Sequence, residues 1–199
     1  MLIVLGLLLV AAALALTGHN LYQDYSAGSA AKGVVQQLQA QIASRDQNTA
    51  SDDGPAAGLP DYVVNPDMEM PTLELDGNEY IGILEIPDLG LSLPIMSQWS
   101  YPKLRIAPCR YSGSAYSGAF TIAGHNYSTH FGPVRTLPVG AQILFTDLEG
   151  RRFVYEVQAV ETLEPSAIQD MLSDQWYLTL FTCTTGGRAR VAVRCLRLE

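Results

Sequence analysis

The segment "WYLTLFTCTTGGRARVAVRC", Trp176 to Cys195, delivers Cys183 at the end of a strand-forming run and breaks at once into Thr184-Thr185-Gly186-Gly187. A second such run opens at Arg190. A side chain at a strand end can project at the rim of a sheet instead of into its core. The thiolate is the working nucleophile of cysteine chemistry. A free thiol of pKa ~8.5 is only a few per cent ionised at neutral pH, so such a cysteine needs a proton acceptor close by. His125 closes another strand-like run, "GAFTIAGH", and is the natural partner. If the runs on either side of the glycines pair, Arg190 returns beside Cys183 with a charged fork of donors that suits a developing oxyanion. Arg188 falls in the same window; Arg190 is preferred because it heads "VAVRC" directly. Singly, these are a packing cysteine, a turn histidine and a surface arginine. Together they are the equipment of acyl transfer. His130 lies five residues past His125, off the spacing of a helical metal pair and with no third ligand near it in sequence, so no metal site is expected.

The elements that must position these residues read as an all-β domain. "EYIGILEIPDLG", "LSLPIM", "RIAPCRYSG" and "GAFTIAGHN" are short strands. "AQILFTDLEGRRFVYEVQAVETL" is a hairpin turning at Asp147-Leu148-Glu149-Gly150, and "WYLTLFTC" and "RVAVRCLRL" follow. "EPSAIQDML" is a short helix with Pro165 in its first turn. The expectation over residues 73–199 is a barrel of about eight strands with short helices. Upstream, residues 46–72 are rich in Asp, Gly, Pro and Ala and read as a flexible acidic linker. Residues 23–45 set Val34, Val35, Leu38 and Ile42 on one helical face and read as a stalk. Residues 1–22 are continuously apolar from Met1 to Leu16 and, extended through Tyr22, long enough to span a bilayer. They read as a membrane anchor, with a cleaved signal segment as the alternative.

With 12 Lys+Arg against 20 Asp+Glu and a net charge of −8, the chain lacks the basic face a nucleic-acid binder needs. Many of the acids cluster in the linker and the start of the domain: Asp46, Asp52, Asp53, Asp61, Asp67, Glu69, Glu74, Asp76 and Glu79 run without an intervening Lys or Arg. Three cysteines are too few for a disulfide framework, and an odd number leaves at least one thiol unpaired within the chain. Cys109 and Cys195 read as buried thiols, with a disulfide between them as the alternative.

The run Thr179-Leu180-Phe181-Thr182-Cys183, the arginine heading the next strand and the upstream Ala123-Gly124-His125-Asn126 closely resemble the sortases, membrane-anchored cysteine transpeptidases of Gram-positive bacteria. The resemblance runs from Tyr80 to the C-terminus. It implies that Cys183 is the nucleophile, His125 the general acid/base, Arg190 the oxyanion- or substrate-positioning residue, and Thr182 a neighbour of the substrate. It implies cleavage of a sorting-signal peptide, typically of the LPxTG kind, through a thioester, and transfer to an amine of a cell-wall precursor. It also implies a single-pass anchor in the cell membrane, a catalytic domain outside it, and no cofactor. Glu161, Glu164 and Asp170 are the loop acids available for the calcium that some sortases bind, but surface acids are too common for these to carry a site. The chain departs from the pilus-assembling sortases: it ends at Glu199 without a second hydrophobic segment, and "NPDMEMP" stands where an Asp-Pro-aromatic lid would be sought. The loop from Leu163 to Trp176 is short beside the helix-bearing insert of class B. Two other readings fit less well. L,D-type transpeptidases place a histidine two residues before the cysteine, where this chain has Phe181. A non-enzymatic membrane-tethered β-domain would keep Cys183 as a structural thiol.

Overall fold

Among the described residues nine strands form one sheet, and eight of them close into a barrel. They are β1 Leu73–Leu75, β2 Asn78–Ile86, β3 Leu91–Met96, β4 Cys109–Ser114, β5 Gly118–Ala123, β6 Gln142–Asp147, β7 Arg152–Leu163, β8 Leu178–Cys183 and β9 Arg190–Leu198. The order is β1-β2-β3-β4-β5-β8-β9-β7-β6, and pairing of β2 with β6 closes the ring. The short β1 is an addition along the start of β2, with Leu73 opposite Tyr80. It was not foreseen as a strand; the other eight were. The computed structural model describes residues 2–49 and 59–198.

Period-two alternation builds the wall. Along β6 and β7, Ile143, Phe145, Phe153, Tyr155 and Val157 are buried while their neighbours face outward. Phe120 and Ile122 of β5 and Leu178 and Leu180 of β8 fill the same interior. The short helices are α2 Asp61–Val64, α3 Tyr101–Leu104 and α4 Ile168–Met171. Pro165 does not lie in the first turn of α4, as expected, but in a separate turn closed by the Ala167 amide donating to the Glu164 carbonyl at 3.0 Å.

The N-terminal region is one helix, α1 Leu2–Thr49. From Ile3 to Tyr22 it is exposed, and the helix is long and apolar enough to cross a membrane. The second half is docked on the barrel and does not stand free as a stalk. Ala27, Ala31, Val35 and Leu38 are buried, and Val34 and Ile42 are partly so. The face read from the sequence is real; its partner is the side of the barrel carrying Tyr80, Ile83 and Met96.

Of the flexible linker expected over 46–72, residues 50–58 lie outside the described residues. Residues 46–49 complete α1, and 59–72 run against the barrel. Met70 is buried, and Tyr62 stacks on Tyr116 at 5.1 Å with the edge of Phe153 at 5.4 Å. The Asp- and Pro-rich composition concealed these apolar anchors.

Candidate active site

The strand register brings the candidate residues together. β5 and β8 are parallel neighbours, with Ala123 opposite Phe181, and the Gly124 amide donates to the Phe181 carbonyl at 3.0 Å. Paired residues of a parallel ladder share a face, and side chains alternate. Two residues beyond this pair stand Cys183, the last residue of β8, and His125, in the loop that leaves β5. On the other side of β8, the antiparallel β9 sets Arg190 directly opposite Cys183. Cys183 and Arg190 are thus cross-strand partners, and His125 lies two residues past the end of β5, the strand on the other side of β8. The same alternation turns Thr182 the other way. It is buried opposite Val191, and its hydroxyl has no hydrogen-bond partner among the described residues. The structure therefore separates Thr182 from the face that carries Cys183.

The turn between β8 and β9 needs its glycines: Gly186 and Gly187 have φ of 87° and 72°, the left-handed region. Gly187 donates to the Thr184 carbonyl at 2.8 Å, and Thr184 to that of Ala189 at 3.0 Å. Arg190 lies over this turn, its Nη1 donating to the carbonyls of Gly187 and Ala189 at 3.2 Å each. Arg188 is exposed in the turn, before the ladder begins. Arg135 donates to the Thr185 hydroxyl at 3.5 Å, a brace that sequence spacing could not reveal.

His125 sits at the mouth of a tight loop, residues 124–132. Any Cβ at Gly124 would come within 2.4 Å of the Phe131 ring, so only glycine allows the chain to turn here. The Phe131 amide donates to the His125 carbonyl at 3.0 Å, and the amides of His130 and Gly132 converge on the Tyr127 carbonyl. The Tyr127 ring stacks on the His125 imidazole, with centroids 4.7 Å apart. Burial, reinforced by the charge of Arg105, holds the His125 pKa below its ordinary 6.5. The imidazole is therefore mostly neutral at pH 7 and free to accept a proton. His130 is wholly buried beneath. Burial first, then the neighbouring His125, pushes its pKa down to about 4 against a smaller upward pull from Asp24.

Asp24 of α1 is the residue that sequence reasoning missed. Its carboxylate accepts from the amides and hydroxyls of both Ser128 and Thr129 in the histidine loop. No local pattern links residues a hundred positions apart.

Phe181, on the Cys183 face of β8, begins a row of aromatic rings. Phe181 meets Tyr111 at 5.3 Å, Tyr111 meets Trp99 at 5.1 Å, and Trp99 meets Tyr101 at 5.6 Å. Cys109 and Cys195 are buried, and burial raises both thiols to about 12, where they are inert. Cys183 is the thiol that is partly exposed. Of the loop acids, Glu161 is bound by the Arg194 guanidinium at 3.0 Å. Among the described residues no three His, Cys, Asp or Glu side chains are grouped to hold a metal ion.

The closed barrel thus ends β8 in a partly exposed cysteine, with Arg190 as its cross-strand partner and His125 in the loop that leaves the neighbouring strand. The family model described as the sortase domain matches residues 84–198, more than half of the chain, and the chain belongs to the sortase family. Compared by sequence with curated proteins, it has no significant match. Its fold is similar to that of the sortase D5 transpeptidase of Clostridium perfringens, at 20% identity and TM-score 0.61, covering 86% of this chain and 99% of that one. It is also similar to sortase C of Streptococcus pneumoniae, at 19% identity and TM-score 0.60, covering 84% and 97%. For sortase A of Corynebacterium diphtheriae the values are 20% and 0.55, covering 94% and 95%. Sortases of three lettered kinds share this fold with the chain, so the likeness singles out no subclass.

Proposed function

We propose that the protein cleaves a sorting-signal peptide of the LPxTG kind through a thioester on Cys183 and transfers the acyl group to an amine of a cell-wall precursor. The register that pairs Cys183 with Arg190, with His125 in the loop that leaves the neighbouring strand, supports this reading. Cys183 Sγ gives its proton to His125 and attacks the scissile carbonyl carbon. The oxyanion forms beside Arg190, whose guanidinium turns from the carbonyls it caps to meet it. The C–N bond breaks as His125 returns the proton to the leaving amine, and the acyl group stays on sulfur. An incoming amine then attacks the thioester, yields its proton to His125 and leaves a new amide and a free thiol. The aromatic row offers an apolar surface beside the thiol for the peptide. Thr182 supports β8 from inside the barrel. Residues 2–22 of α1 cross the cell membrane, and the barrel lies outside it.

The test is product mass, using the full chain in lipid nanodiscs with sorting-signal peptides and increasing amine. A covalent peptide adduct is expected on the wild type and none on Cys183→Ala, with an amide product that grows with amine concentration. An adduct on the Ala variant would overturn the assignment of the nucleophile. Free acid as the sole product at every amine concentration would leave a protease instead.

A further inference from the structure

We infer that Asp24, on the helix that leads out of the apolar segment, is a positioning residue for His125, so that the N-terminal helix is a working part of the active site. The inference rests on the proposed role of His125 as acid/base. The histidine loop is pinned at its start by the Gly124–Phe181 bond and closed on itself by the Phe131–His125 bond, both at 3.0 Å. Between these, residues 126–129 run over the surface, and their outer support is α1. The Asp24 carboxylate accepts from Ser128 N at 3.1 Å, Ser128 Oγ at 2.6 Å, Thr129 N at 3.2 Å and Thr129 Oγ1 at 2.8 Å. The Thr129 hydroxyl also reaches the Asp24 carbonyl at 3.0 Å. One residue before, Gln23 Oε1 accepts from the hydroxyl of Tyr127, the ring stacked on His125, at 3.5 Å.

The helix is shaped for this contact. Gly28, one turn after Asp24, lies against Thr129, where an added Cβ would come within 2.7 Å of its methyl group. A glycine inside a helix costs about 1 kcal/mol against alanine, and here it allows the close approach that lets Asp24 reach two backbone amides. Partial burial opposes the charge of Asp24, but the bonds from Ser128 and Thr129 outweigh it and hold the carboxyl below its ordinary pKa. It is therefore an anion, fitted to four donors, throughout the neutral range. A small misplacement of an acid/base group costs rate out of proportion to its size. A clamp two residues beyond the Tyr127 stack is well placed to prevent one.

The experiment compares wild type, Asp24→Ala, Asp24→Asn, Thr129→Val and His125→Ala as full chains in nanodiscs. The first readout is the pH profile of Cys183 alkylation by iodoacetamide, which needs no peptide substrate. Tyr127, Arg105 and His130 are the titratable or charged groups that bear on His125, with Asp24 behind His130, and only the Asp24 and His125 variants alter this set directly. The profile of Asp24→Ala is expected to move at least halfway toward that of His125→Ala, with Asp24→Asn and Thr129→Val between. With a sorting-signal peptide, kcat for acylation should fall roughly 10-fold in Asp24→Ala with little change in KM, since the clamp touches no substrate. An Asp24→Ala profile that superimposes on wild type, while His125→Ala differs, overturns the positioning role and spares the proposed function. Coincident profiles for wild type and His125→Ala overturn both. A kcat loss that vanishes on cooling below a lowered melting point also overturns it, since it would show a merely structural contact.

Discussion

At the scale of single residues, the choice between two arginines is decided by register. Arg190 is the cross-strand partner of Cys183, whereas Arg188 lies in the exposed turn. If the planar fork of Arg190 faces the oxyanion, Arg190→Lys should lower acylation roughly 10²-fold, as loss of one such donor does elsewhere. Arg188→Lys should leave it near wild type. Single-turnover rates of thioester formation check this, and equal losses would remove Arg190 from the oxyanion site. That Cys183 would end one strand and Arg190 open the next was legible in the sequence because the Thr184-Thr185-Gly186-Gly187 break between the two runs is a local signal. Thr182 is buried, because strand alternation sends consecutive side chains to opposite faces, which adjacency in sequence does not reveal. Asp24 was illegible, since only the packing of α1 brings it to the histidine loop.

The histidine loop as an element carries its own pH dependence. His130 is buried, and neither ring nitrogen has a partner among the described residues. Its folded pKa of about 4 lies below the unfolded 6.5. The unfolded chain then binds the extra proton first, and stability falls as pH drops through 6.5, flattening below about 4. Between pH 7 and pH 5 the loss is about 2 kcal/mol, with His125 adding in the same direction. Denaturant midpoints at both pH values should show this slope in the wild type and a shallower one in His130→Phe. Equal slopes would mean that His130 is solvated or partnered in solution. The eight barrel strands could be read from the sequence because alternation and glycine turns are local signals. β1 could not, being three residues whose pairing depends on β2. The segment 59–72 was misread because its composition outweighed Tyr62 and Met70, whose partners on the barrel are remote in sequence.

At the scale of the whole molecule, the N-terminal region is structural as well as a candidate membrane anchor. A fragment starting at Leu73 would lack Val35, Leu38 and Met70, all buried in the full chain. Burial of such side chains is worth up to about 1.5–3 kcal/mol each. That fragment should unfold at markedly lower denaturant than one starting at Gln23, and expose apolar surface that promotes association. Comparable midpoints would show that the helix merely rests on the barrel. One consequence of the unbroken α1 concerns altitude. A barrel on a slack tether samples every distance from the bilayer that its tether permits, but a barrel clasped to a rigid rod rides at one level. What it can acylate is then confined to a thin layer parallel to the membrane, and each residue added to the rod between Thr17 and Asn20 lifts that layer by about 1.5 Å. Lengthening the rod should progressively starve the enzyme of lipid-borne acceptors while leaving freely diffusing amines as good as before. Indifference of the lipid-borne acceptors to rod length would show that the barrel swings loose.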